Sequence, residues 1–329
     1  MRKIRWGVLS TANIAQKEVI PALQRATNAE VVAIASLSNR AKEVASQYHI
    51  PKAYDTYEEL LKDPTIDAVY IPLPNHLHKV WTIEAAKSGK HVLCEKPASL
   101  TAEETEEMIS ACQEHGVRFM EAFMYQFHPQ HERVRELIKN GEIGSVKLMR
   151  ASFSFYLADF KENIRMNPAM GGGSIYDVGC YGIHAIRYVL QEEPKELQIH
   201  ANINSEHQVD TSAVGYMKME SGIVATFDAS FEMTYRAEYE VIGTKGSIKV
   251  PRAFRPDIDD GIGLVIVQNE HGVKEEIISG DIYRLQVEHF SQTILENNEP
   301  SYSPENTIQN MRVLDACYQS LKTGGKITL

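Results

Sequence analysis

From Ile4 to Glu121 the chain alternates short apolar runs with amphipathic stretches, and that alternation constrains the fold more than any other feature. Ile4–Leu9, Val31–Leu37, Ala68–Pro72, His91–Cys94 and Arg118–Glu121 read as strands, and Ile14–Arg25, Arg40–Tyr48, His76–Ser88 and Ala102–His115 as helices. Strands that alternate with helices imply a parallel sheet covered on both faces. The turn chemistry agrees: Gly89 and Gly116 end helices, and Thr101 with Glu104 makes a capping box. The fold class is α/β.

The second half has another rhythm. After a helix near Pro129–Lys139 come β-rich runs at Ser145–Tyr156, Glu196–Asn204, Ser212–Met219, Ile223–Phe231, Ala237–Val250, Leu264–Asn269 and Val273–Ile278. One helix, Ser174–Leu190, interrupts them, and Leu285–Asn297 and Pro304–Thr323 close the chain as helices. Consecutive strands with short connections predict a largely antiparallel sheet packed on helices. A length of 329 residues suits two domains. No repeat or low-complexity linker separates them, so a packed junction is expected near residue 122.

Lys and Arg number 34 against 44 Asp and Glu, a net charge of -10 that repels phosphate backbones and argues against a nucleic-acid partner. No stretch has the ~18 consecutive apolar residues of a membrane helix, and the apolar run ending at Leu9 is too short for a secretory signal. Cys94, Cys112, Cys180 and Cys317 are scattered without a CxxC, which fits reduced thiols in a cytoplasm.

The first strand runs into Ser10-Thr11-Ala12-Asn13-Ile14-Ala15 and then a helix, where a dinucleotide fold places its glycine-rich turn. The GxGxxG positions hold Ser10, Ala12 and Ala15, all small, and Gly7 lies inside the strand. Small residues still let N–H groups at a helix N-terminus meet a phosphate. A plain strand-to-helix turn packed with small side chains would have the same composition. After the second strand comes Ser36-Leu37-Ser38-Asn39-Arg40, with no acid to bond a ribose 2′-OH. Hydroxyls and a guanidinium suit a 2′-phosphate, so NADP is expected ahead of NAD. Ser38 as a helix cap beside a solvated Arg40 is the plainer alternative.

Two segments carry sharper chemistry. Glu95-Lys96-Pro97 follows the buried strand His91–Cys94, and a lysine at the carboxyl end of such a strand faces the crevice where ligands of open α/β sheets lie. Its ammonium can stabilise an alkoxide. The second segment is Gly171-Gly172-Gly173-Ser174-Ile175-Tyr176-Asp177-Val178-Gly179-Cys180-Tyr181-Gly182-Ile183-His184. Three glycines allow backbone to approach a ligand, and Asp177, Tyr181 and His184 share one face of the helix that follows. Polar groups on an apolar stripe are costly unless they are bonded. A structural polar stripe is the competing reading, above all for His184. Gly179 and Gly182 inside the helix imply tight packing against another element.

These segments resemble the Gfo/Idh/MocA family of NAD(P)-dependent oxidoreductases. The resemblance rests on STANIA, PLPNHLH, EKP, EAFMYQFHP, GGGSIYDVGCYGIH and EYEVIGTKGSIKVP, and it spans essentially the whole chain. In style it is nearest the branch of dimeric dihydrodiol dehydrogenases and NADP-linked xylose dehydrogenases. It implies an N-terminal Rossmann dinucleotide-binding domain over 1–122. Residues 123–329 would form an α+β substrate-binding and oligomerisation domain with a large, mostly antiparallel, open sheet, the C-terminal helix packing back on the first domain.

Position by position, the resemblance makes Lys96 the catalytic lysine, Asp177 the substrate-binding aspartate and Tyr181, in place of the His of DxxxH, the general acid/base. A phenol with pKa ~10 needs a nearby cation to act at neutral pH; Lys96 would supply it, with His184 as second candidate for the proton-handling role. Ser10, Thr11, Ala12, Asn13 and Ile14 would line the pyrophosphate, and Ser36, Asn39 and Arg40 the adenosine ribose. Leu37 stands where some members have Arg. Pro72, Leu73, Asn75, His78, Glu95 and Lys96 would follow the nicotinamide ribose, and Arg165 would reach the cofactor. The substrate would meet Lys96, Phe123, Tyr156, Asp177, Tyr181 and Tyr283.

The expected function is hydride transfer between NADP(H) or NAD(H) and a secondary alcohol carbon of a sugar, polyol or cyclic diol, with no metal. A homodimer or homotetramer through the C-terminal sheet is expected, with no membrane partner. A catalytically silent nucleotide-binding regulator or sensor is the alternative, against which the retention of Lys96, Asp177 and Tyr181 together argues. A zinc alcohol dehydrogenase is disfavoured because cysteines and histidines never cluster at ligand spacing.

Overall fold

The computed structural model describes residues 2–161 and 163–329. The chain forms two compact units: Met1–Met124 with Tyr283–Met311, and Tyr125–Ile282 with Arg312–Leu329. The stretch Tyr283–Met311, assigned on sequence to the second domain, therefore belongs to the first unit.

In the first unit the elements run β1 (Ile4–Leu9), α1 (Ile20–Arg25), β2 (Ala29–Ala35), α2 (Ala41–Gln47), β3 (Lys52–Tyr54), α3 (Tyr57–Leu61), β4 (Ala68–Ile71), α4 (His78–Lys87), β5 (His91–Cys94), α5 (Ala102–Glu114) and β6 (Phe119–Glu121). The six strands pair in parallel in the order β3-β2-β1-β4-β5-β6, the order of a doubly wound dinucleotide fold. Thr56 and Thr101 cap α3 and α5 by accepting from the N–H groups of Glu59 and Glu104. Glu104 reaches back past the N-cap and accepts from the N–H of Leu100 at 3.1 Å. The sequence reading missed β3 and α3, because a three-residue, half-buried strand and a one-turn helix carry no measurable period.

Gly7, the glycine left near the nucleotide turn, serves packing instead: a Cβ there would lie 2.7 Å from Leu60 Cδ2 on α3. Its neighbour Trp6 is fully buried, donates to Ser291 Oγ at 3.1 Å and lies 5.8 Å from the Phe290 ring. Those partners come from the late segment that contains most of α8 (Ile282–Glu296).

The second unit contains α6 (Pro129–Lys139), β7 (Val146–Tyr156), α7 (Cys180–Leu190), β8 (Pro194–Ile203), β9 (Asp210–Met219), β10 (Val224–Ser230), β11 (Glu232–Gly243), β12 (Gly246–Val250), β13 (Ile262–Asn269), β14 (Gly272–Ser279) and the closing β15 (Ile327–Thr328). Residues of α9 (Pro304–Thr323) from Arg312 onward also belong here. The nine strands run β14-β13-β12-β11-β7-β10-β9-β8-β15, and of these pairs β7–β10 is parallel and the others antiparallel. The run Ala237–Val250 divides into β11 and β12 about Thr244 and Lys245. Gly179 and Gly182 let α7 and the turn before it lie on the sheet: a Cβ at Gly182 would sit 3.1 Å from Phe227 Cβ, and one at Gly179 would sit 3.4 Å from Ala229 Cβ. Among the described residues no helix is long and apolar enough to cross a membrane, and no three His, Cys, Asp or Glu group as metal ligands.

Candidate active site

The nucleotide end of the first unit begins where β1 leaves the sheet. Ser10 has φ +133°, a backbone region that favours glycine, so the conformation of the missing fingerprint glycine survives in a serine. Its N–H donates to Ala35 O at 3.0 Å, and its Oγ accepts from the N–H of Ala12 at 3.0 Å. Gln16 closes the turn from the other side by donating to Thr11 O at 2.6 Å. The helix starts at Asn13, with the Gln16 N–H donating to Ala12 O at 3.1 Å, and passes through a π-helical turn, Ala15–Val19, before it continues as α1; Ala12, just ahead of it, has no side chain that could cap it. A small-residue turn feeding an uncapped helix start fits the pyrophosphate of a dinucleotide.

The hydroxyls of Thr11, Ser36 and Ser38 form a chain across the ends of β1 and β2, with Oγ distances of 3.3 and 2.8 Å. Asn39 follows with φ +59°, and Arg40 is half-exposed, 3.6 Å from Glu43. Leu37 is exposed. No acid of the β2 end competes for a ribose oxygen, so this end fits a ribose that carries a phosphate.

The lysine loop is held on every side. Glu95 accepts from the Tyr70 hydroxyl at 2.6 Å and from the Lys96 N–H at 3.3 Å. The N–H of Ala98 donates to Glu121 Oε1 at 2.9 Å, and the Tyr302 hydroxyl donates to Glu121 Oε2 at 3.2 Å. Lys96 itself is half-buried between these anchors, followed by a cis peptide bond to Pro97. Pro72 and Leu73 are buried and Asn75 half-buried in the neighbouring loop.

His78 corrects an expectation. It is fully buried, with Nδ1 2.9 Å from Pro97 O and Nε2 2.8 Å from Leu73 O. Burial lowers its pKa to about 4, so the ring is neutral and donates to one of these carbonyls at a time. It ties two loops together and has no surface left for a cofactor. Phe123 is corrected in the same way. Phe123 is fully buried, edge-on to Tyr302, and Tyr283 is 3% exposed.

In the second unit the glycine run has a structural cause. A Cβ at Gly172 would come within 2.5 Å of Arg165 O, and one at Gly173 would collide with Asp210 Oδ1. The chain then enters a π-helical turn, Ile175–Gly179, which holds Asp177 and leads into α7 with Tyr181. Arg165 Nε donates to Asp177 Oδ2 at 2.6 Å, and this attraction raises the arginine pKa. Arg165, expected at the cofactor, is thus paired with the Asp177 carboxylate.

Tyr181 is 5% exposed in an aromatic wall, its ring 5.2 to 5.7 Å from those of Phe153, Phe254 and Tyr125. Behind it the Tyr125 hydroxyl bonds Nδ1 of His184, which burial holds neutral with its pKa well below the usual value. His184 thus lies behind the Tyr181 ring, tied to the Tyr125 hydroxyl. Tyr156, at the end of β7, is 71% exposed and outside this wall.

Sequence reasoning missed Glu121, Tyr302, Tyr125 and Asp210. The first and third sit in the quoted EAFMYQFHP motif, where an acid ending a buried strand was the available signal. Nothing local announced the other two.

Comparison with known proteins decides the family. Residues 4–123 match the oxidoreductase family with an NAD-binding Rossmann fold, and residues 131–249 match the GFO/IDH/MocA C-terminal domain. The chain belongs to the Gfo/Idh/MocA oxidoreductase family. The NADP-linked D-xylose 1-dehydrogenase 2 of Haloferax volcanii is 40% identical over 325 residues, 98% of this chain and 99% of that protein. Aldose-aldose oxidoreductase from Caulobacter crescentus, solved with glycerol, superposes with a TM-score of 0.93 at 26% identity over the whole of both chains. KijD10, a 3-ketoreductase from Actinomadura kijaniata solved with NADP and TDP-benzene, gives 0.92 at 28% identity, covering 97% of this chain and 98% of that one. The two-part architecture of this family, a parallel dinucleotide-type sheet and a mixed, mostly antiparallel sheet, is the one described above.

Proposed function

We propose that the chain oxidises or reduces a secondary alcohol carbon of a sugar, polyol or cyclic diol, with NADP(H) preferred over NAD(H). The observation that carries this reading is the lysine loop. Lys96 stands at the carboxyl end of β5 in a doubly wound sheet, where ligands of such sheets bind, on a backbone clamped through Glu95, Pro97 and Ala98. Structural clamping this complete around a half-buried lysine suits a group that must meet a reacting oxygen at fixed distance.

The bound nicotinamide supplies or takes up the hydride; the rest falls to this chain. The turn Ser10–Ile14 presents backbone N–H groups to the pyrophosphate, and the Ser36–Arg40 end receives the 2′-phosphate. The Lys96 ammonium stabilises negative charge on the substrate oxygen, and the Tyr181 phenol exchanges its proton. Asp177, oriented by Arg165, accepts a substrate hydroxyl. The relatives support the class: one is named for xylose and NADP, one was solved with glycerol, one with NADP.

Lys96→Ala and Tyr181→Phe should each cut turnover on the best substrate of a sugar, polyol and diol panel by about 10²–10⁴-fold. NADPH binding, followed by fluorescence, should persist in both. Near-normal rates in either variant would sink the mechanism, and NADPH binding with no turnover by the unaltered protein on any panel member would favour a regulator. Pairing of copies through the open face of the nine-stranded sheet belongs to the same reading, since Val214 and Tyr216 on β9 point to solvent from mid-strand. A cytoplasmic setting, with four free, buried cysteines, completes it.

A further inference from the structure

We infer that Asp210 is a positioning residue for the proposed reaction: its carboxylate fixes where the helix carrying Asp177 and Tyr181 begins. The inference rests on the role proposed above for those two residues.

Asp210 opens β9 and is 2% exposed. It accepts three hydrogen bonds: from the Ile175 N–H at 2.7 Å, from Ser174 Oγ at 2.8 Å, and from the Tyr318 hydroxyl on α9 at 3.2 Å. Burial pushes its carboxyl pKa up while those three donors pull it back. Gly173, at φ +117°, lacks the Cβ that would strike Asp210 Oδ1, so the turn is shaped around the carboxylate. Tyr318 is held in its turn by the Tyr176 ring, with centroids 4.6 Å apart.

The consequence lies in helix phase. Ile175, the residue whose N–H Asp210 holds, is the first of the π-helical turn, and Asp177 is two residues on. A π turn takes in more residues than an α turn and rotates everything after it. Moving its start by one residue would swing Asp177 and Tyr181 about the helix axis. The other side of the same turn is tied by Gly173 N–H to Arg165 O at 2.9 Å and by Arg165 to Asp177. Asp210 therefore sets the register and Arg165 the carboxylate orientation, and neither has to touch substrate. The glycine run, which on sequence suggested close approach of a ligand, instead admits an anion that belongs to the chain.

The test is Asp210→Asn, which keeps the volume and removes the charge and one acceptor. A misplacement of about 1 Å can lower turnover by about 100-fold, so kcat should fall by about that factor while the NADPH dissociation constant stays within about twofold. In a Tyr181→Phe background the same change should lower the residual rate by less than about threefold, because residues acting as one unit are not additive. Should Asp210→Asn not fold, Ser174→Ala and Tyr318→Phe each remove one donor and leave the carboxylate; each should lower kcat by about 2–10-fold, the share of one hydrogen bond. Unchanged kcat in a folded Asp210→Asn, or in both donor variants, overturns the inference. So does an equal loss with and without Tyr181. A fully active Tyr181→Phe instead defeats the proposed function, and does so before Asp210 is altered.

Discussion

Two helix starts in this molecule look alike in sequence and differ in what fills them. Each follows a run of small or hydroxyl residues, and each passes through a five-residue π turn close to its start, Ala15–Val19 in the first unit and Ile175–Gly179 in the second. At the first, Ser10 folds its hydroxyl back on the Ala12 N–H, and Ala12, just ahead of the helix, has no side chain that could cap it. At the second, the Asp210 carboxylate is already seated on the N–H of Ile175. A run of small residues ahead of a helix therefore signals room for an anion, and a residue far along the chain decides whether the anion is a ligand or part of the protein.

The largest test of this contrast is Gly173→Ala. It puts a methyl group against Asp210 in a backbone conformation that L-residues avoid, and should destabilise the protein by about 3 kcal/mol, read as an earlier urea transition. A transition at the wild-type position would mean that the seat is not closed. Next comes Ala12→Asp, which brings a charge to the open seat. NADPH affinity should fall by about 100-fold, near 2.7 kcal/mol, while the urea midpoint barely moves, and unaltered affinity would place the pyrophosphate elsewhere.

Arg40→Gln sharpens the picture at the ribose. Its guanidinium is half-exposed and shared with Glu43, so solvent screening limits the loss to about tenfold for NADPH, with NADH unchanged. Equal losses for both would assign Arg40 a role other than phosphate binding. The smallest effect is expected of Ser10→Gly. Relief of the positive φ should outweigh the lost hydroxyl bond and stabilise the protein by about 1 kcal/mol, a gain of a few degrees in thermal unfolding. A lower melting temperature would show that the hydroxyl matters more than the backbone.

Legibility in the sequence followed the same division. Periodic features were readable: the alternation that builds β1, β2, β4, β5 and β6, the Thr101 cap and the lysine at the end of β5 all depend on near neighbours. Features closed by distant residues were not. His78 lies in a motif rich in ligand-like residues, yet its two carbonyl partners sit on separate loops, and only their geometry shows that the ring is a tie. Phe123 failed for a related reason, since an aromatic beside a functional motif is more often packed than exposed. Asp210 lies 33 positions after Asp177 in a strand of unremarkable composition, and a π turn leaves no mark in a pattern that reads equally well as α-helix.

The Trp6 indole has a further implication for how the molecule is made. Its hydrogen-bond acceptor Ser291 and its ring neighbour Phe290 emerge from the ribosome only after the entire intervening unit has been synthesised. Until then the nascent nucleotide unit keeps an unfinished apolar flank, so a fragment that stops at Met124 should be a client for chaperones, and in their absence should aggregate, whereas one that regains Tyr283–Met311 in trans should not.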